Sequence, residues 1–327
     1  MSEQNILGQF EALSSKMADA RTALGSVIFG QEQVLTLSLT ALAAGGHGLL
    51  VGAPGVAKTL LVSSIGEVLG LDTKRVQFTP DLMPGDILGS EVLEEDGDNK
   101  RNFRFIPGPI FCQMLMADEI NRASPRTQSA LLQAMQEGYV TIAGARHDLP
   151  QPFHVLATQN PIEQEGTYPL PEAQLDRFLL QIDVPFPDEA SERRMLAATT
   201  TGTISKLEPF FDPETLQQVQ ALVQKMPIGD QLVDSILSLV RNARPGNDAS
   251  DRVNSLVSWG PGPRASQALS LSVRALALID GRMSPSIDDV RKLAGPVLKH
   301  RMALNFTARA EGVSIDQFIN ELCEKYL

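Results

Sequence analysis

Residues 48–60, Gly-Leu-Leu-Val-Gly-Ala-Pro-Gly-Val-Ala-Lys-Thr-Leu, constrain this chain more than any other stretch. Leu49, Leu50 and Val51 form a short apolar run that stops at Gly52, and Pro54 and Gly55 sit in a compact loop. Lys58 and Thr59 then open a segment with helical spacing. Strand, small-residue loop, Lys-Thr and helix, in that order, are the parts of a phosphate-binding loop. Small side chains let successive backbone N–H groups wrap a polyphosphate, and the start of the following helix adds partial positive charge. On this reading Gly52, Ala53, Pro54, Gly55, Val56, Ala57 and Leu60 surround the phosphates of a nucleotide, Lys58 reaches the outer ones, and the Thr59 hydroxyl holds Mg²⁺. One position departs from the usual pattern, because Ala57 stands where glycine normally precedes the lysine. An ordinary strand-to-helix turn that happens to contain Lys-Thr is the plainer alternative.

Composition narrows the remaining choices. A chain of 327 residues with a hydrophobic fraction of 43% buries a large core and has the length of two domains. No apolar run approaches the ~20 residues that a bilayer crossing needs. The start, Met1-Ser2-Glu3-Gln4-Asn5, lacks the basic and apolar parts of a signal peptide. Cys112 and Cys323 build neither a disulfide framework nor a metal cluster, which points to a reducing, cytoplasmic setting. The four histidines are scattered, which argues against a structural metal. The formal charge of −11 argues against broad nucleic-acid binding.

Along the chain, Ile6, Phe10, Leu13, Met17 and Leu24 have helical spacing, so residues 5–24 read as an amphipathic helix ended by Gly25. The segment Val27-Ile28-Phe29 either walls the adenine, with Ile28 as the contact, or simply connects two helices through the core. A second helix follows over residues 32–44, a third over 60–69 and a short strand over 75–78. Residues 84–110 read as a hairpin turning at Asp96-Gly97, with a charged tip that is either a solvated turn or a partner contact. The apolar run Met114-Leu115-Met116-Ala117 ends in Asp118 and Glu119. In phosphate-loop enzymes such a strand delivers an aspartate to Mg²⁺, and the neighbouring glutamate can take a proton from water. Alone, an acidic pair at a strand end is also common surface decoration. Ser124-Pro125 reads as a helix cap with a first-turn proline, residues 139–149 as a second hairpin, and 153–158 as a buried strand. Its end, Gln159-Asn160-Pro161, places an amide where parallel sheets bind ligands, or merely starts a turn. Leu175-Asp176-Arg177-Phe178 precedes a last strand over residues 179–184.

Taken together, residues 52–59, Ala117-Asp118-Glu119-Ile120-Asn121-Arg122-Ala123, Ala157-Thr158-Gln159-Asn160-Pro161 and Leu175-Asp176-Arg177-Phe178 closely resemble the MoxR family of AAA+ ATPases. The resemblance covers nearly the whole chain, and MoxR-like phosphate loops commonly carry alanine at the Ala57 position. It implies an α/β AAA+ core, a parallel sheet flanked by helices, over residues 1–205, followed by a smaller all-α lid over 206–327. It also implies a cytoplasmic ATPase that assembles as a ring, usually a hexamer, and remodels or matures a client protein, often with a von Willebrand factor A domain partner. Lys58 and Thr59 then correspond to Walker A, Asp118 and Glu119 to Walker B, with Asp118 at Mg²⁺ and Glu119 activating water. Asn160 resembles sensor 1 and Arg177 the arginine finger of a neighbouring subunit. Residues 84–110 resemble the helix-2 insert and 139–149 the hairpin before sensor 1, both on the substrate side. Related branches keep two alternatives open, a magnesium-chelatase-like subunit and a helicase-like nucleic-acid motor.

The C-terminal third is helical in pattern. Residues 189–199 read as a helix and 200–208 as a polar linker. Asp212-Pro213 caps a helix to Lys225, another covers residues 229–241, and residues 244–263 read as a long loop holding Trp259. Arg264 begins a helix that runs to Asp280, at the place where sensor 2 of the family would be. The plainer reading of Arg264 is a loop cap. Ser286 and Ser314 open capping boxes for two further helices.

Overall fold

The computed structural model describes residues 3–95, 101–162, 166–200 and 207–327. The elements in chain order are α1 (Glu3–Gly25), α2 (Glu32–Ala43), β1 (Gly48–Val51), α3 (Lys58–Val68), β2 (Thr73–Gln77), α4 (Pro84–Leu88), β3 (Gly89–Glu95), β4 (Arg101–Pro107), β5 (Met114–Asp118) and α5 (Pro125–Glu137). They continue with β6 (Tyr139–Ile142), β7 (Ala145–Asp148), β8 (His154–Gln159), α6 (Glu172–Leu175), β9 (Leu180–Asp183) and α7 (Glu189–Thr200). The C-terminal third holds α8 (Pro213–Lys225), α9 (Asp230–Asn242), α10 (Asp251–Leu256), β10 (Val257–Trp259), α11 (Pro263–Ile279), α12 (Ile287–Leu298), β11 (Ala303–Leu304), α13 (Phe306–Ala310) and α14 (Ile315–Tyr326).

Among the described residues, five strands form one sheet in the order β2-β5-β8-β1-β9, all parallel. Parallel neighbours require crossover connections, and helices supply them. Successive strand side chains point to opposite faces, and this divides the core. Leu50, Met114, Met116 and Leu156 face a larger cluster shared with α1, α2, α3 and the C-terminal helices. Leu49, Leu115, Ala117, Val155 and Ala157 face a smaller cluster shared with α5.

Most expected elements are present, with informative shifts. The stretch expected as one hairpin begins with the short helix α4, whose Asp86 carboxylate accepts the Met83 N–H at 2.8 Å. Only then do β3 and β4 pair antiparallel, from Gly89↔Pro107 to Glu95↔Arg101. The expected turn at Asp96-Gly97 lies outside the described residues. The second hairpin turns through Ala143 and Gly144, both with positive φ, as a tight hairpin requires. Ser124 and Asp212 cap their helices as expected, and both capping boxes form.

One expectation fails. Residues 244–263 are not a single loop, because they contain α10 and β10. β10 pairs antiparallel with β11, far along the chain, so its partner leaves no mark on the local pattern. The boundary expected at 205/206, with most of the expected linker, falls in residues 201–206, outside the described set. α1 ties the N-terminus to the C-terminal helices. Ser14 Oγ donates to Leu278 O at 2.9 Å, and Arg21 pairs with Asp280 at 2.9 Å.

Candidate active site

β1 ends at Val51, and residues 52–57 carry the chain into α3. Gly52 has no substitute, since a Cβ there would lie 2.5 Å from Val184 O. Gly55, at φ +83°, faces open space. Ala57 has φ 60° and ψ 24°, the left-handed region where glycine stands unstrained. An L-residue there costs roughly 1–2 kcal/mol. The departure from the usual sequence therefore changes the residue and leaves the shape of the loop intact. Val56 O accepts from Gln31 Nε2 at 3.1 Å, which fixes the loop to the segment before α2. Lys58 Nζ donates to Gly52 O at 2.6 Å and Ala53 O at 3.0 Å. Burial pulls this amine below its ordinary pKa, while the nearby Asp118 and Glu119 carboxylates act in the opposite sense. Pro54, Thr59 and Leu60 are exposed around it. Ile28 is 3% exposed and packs within the larger core just upstream of α2.

The flanking strands end at the same edge. β8 lies beside β1, and the Gly52 N–H donates to Gln159 O at 3.2 Å. β5 lies on the other side of β8 and ends at Asp118. Thr158 joins the two acids, since its hydroxyl donates to Asp118 Oδ1 at 2.6 Å and accepts the Glu119 N–H at 2.8 Å. Arg75 on β2 donates to Asp118 Oδ2 through Nε at 3.1 Å and Nη2 at 2.6 Å. Glu119 Oε2 accepts from Gln77 Nε2 at 2.7 Å and from Arg122 Nη1 at 3.1 Å. Glu119 has φ 55°, a strained backbone of the kind that clusters at functional sites. Asn160 is buried, its Oδ1 accepts the Ile162 N–H at 3.1 Å, and its Nδ2 has no partner among the described residues. A buried unpaired donor costs about 1–3 kcal/mol, so this N–H is available to an oxygen acceptor.

These residues fit Mg²⁺ and a nucleotide. Thr59 and Asp118 offer the hard oxygens that Mg²⁺ takes, Lys58 offers an ammonium, and Asn160 offers an unpaired amide. Thr158, Arg75, Gln77 and Arg122 belong to the same constellation; Thr158 and Arg122 lie within the stretches that carry the family resemblance, whereas Arg75 and Gln77 lie in no motif.

Arg177 and Arg264 lie elsewhere. β9 runs parallel to β1 with Gly48↔Leu180 and Val51↔Asp183 in register. Arg177, before Leu180, therefore sits at the amino-terminal edge of the sheet, and the phosphate loop leaves the carboxyl edge. At ~3.3 Å per residue, His47 and Gly52 lie roughly 16 Å apart along β1. Arg177 and Arg264 line one cavity of about 290 Å³, together with Gly46, His47, Asp176 and Arg301. Arg264 lies 3.7 Å from Asp176 and is half exposed.

A model of the ATPase family associated with various cellular activities (AAA) matches residues 47–180, and an AAA lid domain model matches residues 249–322. Chaperone MoxR1 of Mycobacterium tuberculosis is 38% identical over 321 residues, 97% of this chain and 84% of that one. The chain belongs to the MoxR family of AAA+ ATPases. This MoxR-family chain is also 40% identical to YeaC of Bacillus subtilis over 313 residues, 95% of its own length and 94% of YeaC. It is 32% identical to Protein MoxR of Paracoccus denitrificans across 89% of each chain. A crystal structure of a Cytophaga hutchinsonii protein assigned as an ATPase superposes with a TM-score of 0.90 at 34% identity, over 99% of this chain and 98% of that one. The MoxR-family protein is an ATP hydrolase with a parallel-sheet core and an AAA lid. No helix among its described residues is long and apolar enough to cross a membrane.

Proposed function

We propose that this ATPase works as a ring, usually of six subunits, in which each ATP is held by one chain and completed by its neighbour. Hydrolysis then remodels or matures a client protein. The observation that supports this most is the placement of Lys58 and Arg177 at opposite edges of the same sheet. One chain cannot bring both to one phosphate, whereas a head-to-tail contact closed into a ring supplies every site with a neighbour's arginines.

In this reading Lys58 and the N–H groups of residues 52–57 hold the phosphates. Thr59 and Asp118 would hold Mg²⁺, which neutralises phosphate charge when bound. Glu119 accepts a proton from the attacking water, and Asn160 orients that water through its unpaired Nδ2. Arg177 places its charge on the phosphoryl group of the adjoining subunit's ATP. Arg264 lines the same cavity and acts on the same neighbour, so the lid reports in trans. Exposed apolar residues Phe103 and Ile106 on the β3–β4 hairpin support contact with an unfolded client. A protein with a von Willebrand factor A domain is the expected partner, in the cytoplasm.

Mixing subunits tests the shared site. Arg177→Ala and Lys58→Ala should each lower turnover, by ~10³-fold or more for a lost arginine finger. Mixed rings should regain activity, because some sites then pair an intact loop with an intact Arg177. No recovery would refute trans action.

A further inference from the structure

Arg301 follows α12 within the lid, before α13 and α14, and is only 2% exposed. Its guanidinium carries five N–H groups, and five oxygen acceptors surround it. Nε donates to Asp176 Oδ1 at 2.7 Å. Nη1 donates to Leu179 O at 3.1 Å and Val297 O at 2.7 Å. Nη2 donates to Phe178 O at 2.6 Å and Asp176 O at 3.3 Å. Four of the five acceptors belong to residues 176, 178 and 179, on either side of Arg177. No N–H group is left to take a phosphate.

We propose that Arg301 is a positioning residue, which holds the backbone on both sides of Arg177 and so aims that side chain at the neighbouring subunit. The inference rests on the reading of Arg177 as the residue that completes the neighbour's site. A planar fork matches several carbonyls at once, which the single ammonium of lysine cannot do. Burying the charge is costly without a partner, and Asp176 supplies one. Asp176 in turn stands 3.7 Å from Arg264, so one carboxylate links Arg301 to the other arginine in the cavity.

The same lid segment also grips the far end of β9. Lys299 pairs with Asp183 at the end of that strand, and with Asp316 at 2.6 Å. The next residue, Val184, packs its carbonyl against Gly52 of the phosphate loop. Lys299 and Arg301 thus hold β9 at both ends. A displacement of the lid must carry Arg177 with it, so the lid of one subunit sets the competence of the site next door.

The test uses Arg301→Met in the full-length ring, with Arg177→Ala run in parallel. Arg301→Met keeps the bulk of the stem and removes the fork. Misplacing a catalytic group by about 1 Å can cost ~10²-fold, so kcat should fall roughly 10- to 100-fold. KM for ATP and the affinity for a fluorescent ATP analogue should stay within about twofold, because the subunit's own phosphate loop is untouched. Mixing with Lys58→Ala subunits should restore turnover, as it should for Arg177→Ala. Wild-type kcat in Arg301→Met, or a loss that mixing fails to rescue while Arg177→Ala is rescued, overturns the role of Arg301 alone. Failure to rescue Arg177→Ala itself overturns the shared-site reading beneath it. If Arg301→Met does not fold, Asp176→Asn enters the same assays with the same expected loss of kcat at unchanged KM, and wild-type kcat there is equally decisive.

Discussion

Thr158 donates its hydroxyl hydrogen to Asp118 Oδ1 across 2.6 Å, from a position with no solvent exposure. The same oxygen accepts the backbone N–H of Glu119 at 2.8 Å, so one threonine sets the direction of both acids. Thr158→Val keeps the shape and leaves that N–H unpaired. Partners that orient metal-ligating groups are typically worth 10–100-fold in affinity or activity, and kcat should fall by about that factor. Steady-state rates and nucleotide-binding titrations check this, and unchanged rates would show that Thr158 only fills space.

Glu119→Gln separates binding from chemistry. The amide keeps the size of the side chain and cannot take a proton from water. ATP affinity should be retained and turnover abolished. Measurable hydrolysis in this variant would remove Glu119 from the catalytic role.

Ala57 offers a test of backbone shape. Its φ of 60° suits glycine, so Ala57→Gly should preserve activity without lowering Tm. A β-branched residue at positive φ is a genuine outlier, so Ala57→Val should lose stability by about 1–3 kcal/mol. Calorimetry on the two variants reads the difference directly.

Two buried rings predict acid sensitivity. His47 Nδ1 accepts the Val155 N–H at 3.0 Å, which leaves Nε2 to donate to Met135 O at 3.2 Å. His154 Nδ1 donates to Gly46 O at 2.8 Å, and its Nε2 accepts from Gln220 Nε2 at 2.9 Å. Both rings are lowered from 6.5 to about 4, mainly by burial, and for His47 the facing His154 contributes to that fall. The unfolded chain therefore takes up these protons first. Stability present above pH 6.5 is lost as pH falls toward 4, by up to roughly 3 kcal/mol per ring. Urea midpoints at pH 7, 5.5 and 4.5 should fall in that order, and less steeply in His154→Gln. Identical slopes in the two proteins would exclude His154 as a source of the effect.

Local chemistry made much of this protein legible in advance. The run from Leu49 to Thr59 needs only adjacent residues to declare a strand, a small loop and a helix start. Ser124, Asp212, Ser286 and Ser314 announce their helices because a cap acts on N–H groups two or three residues away. The acids at 118 and 119 stood at a strand end by the same local logic. Distant pairings left no such trace. β10 and β11 are short strands that find each other only in the folded chain, and α4 was hidden by the β-like pattern that follows it.

The sequence by itself therefore determined the family and the chemistry of the individual groups, because phosphate loops, acid pairs and helix caps are written in neighbouring residues. Only the tertiary structure decided which groups share an edge. The parallel register of β9 on β1 sends Lys58 and Arg177 to opposite ends of the sheet. The packing of the lid carries Arg301 across more than a hundred residues of chain to the segment around Arg177. Both depend on strand order and burial, which arise from contacts between parts of the chain that no local pattern relates.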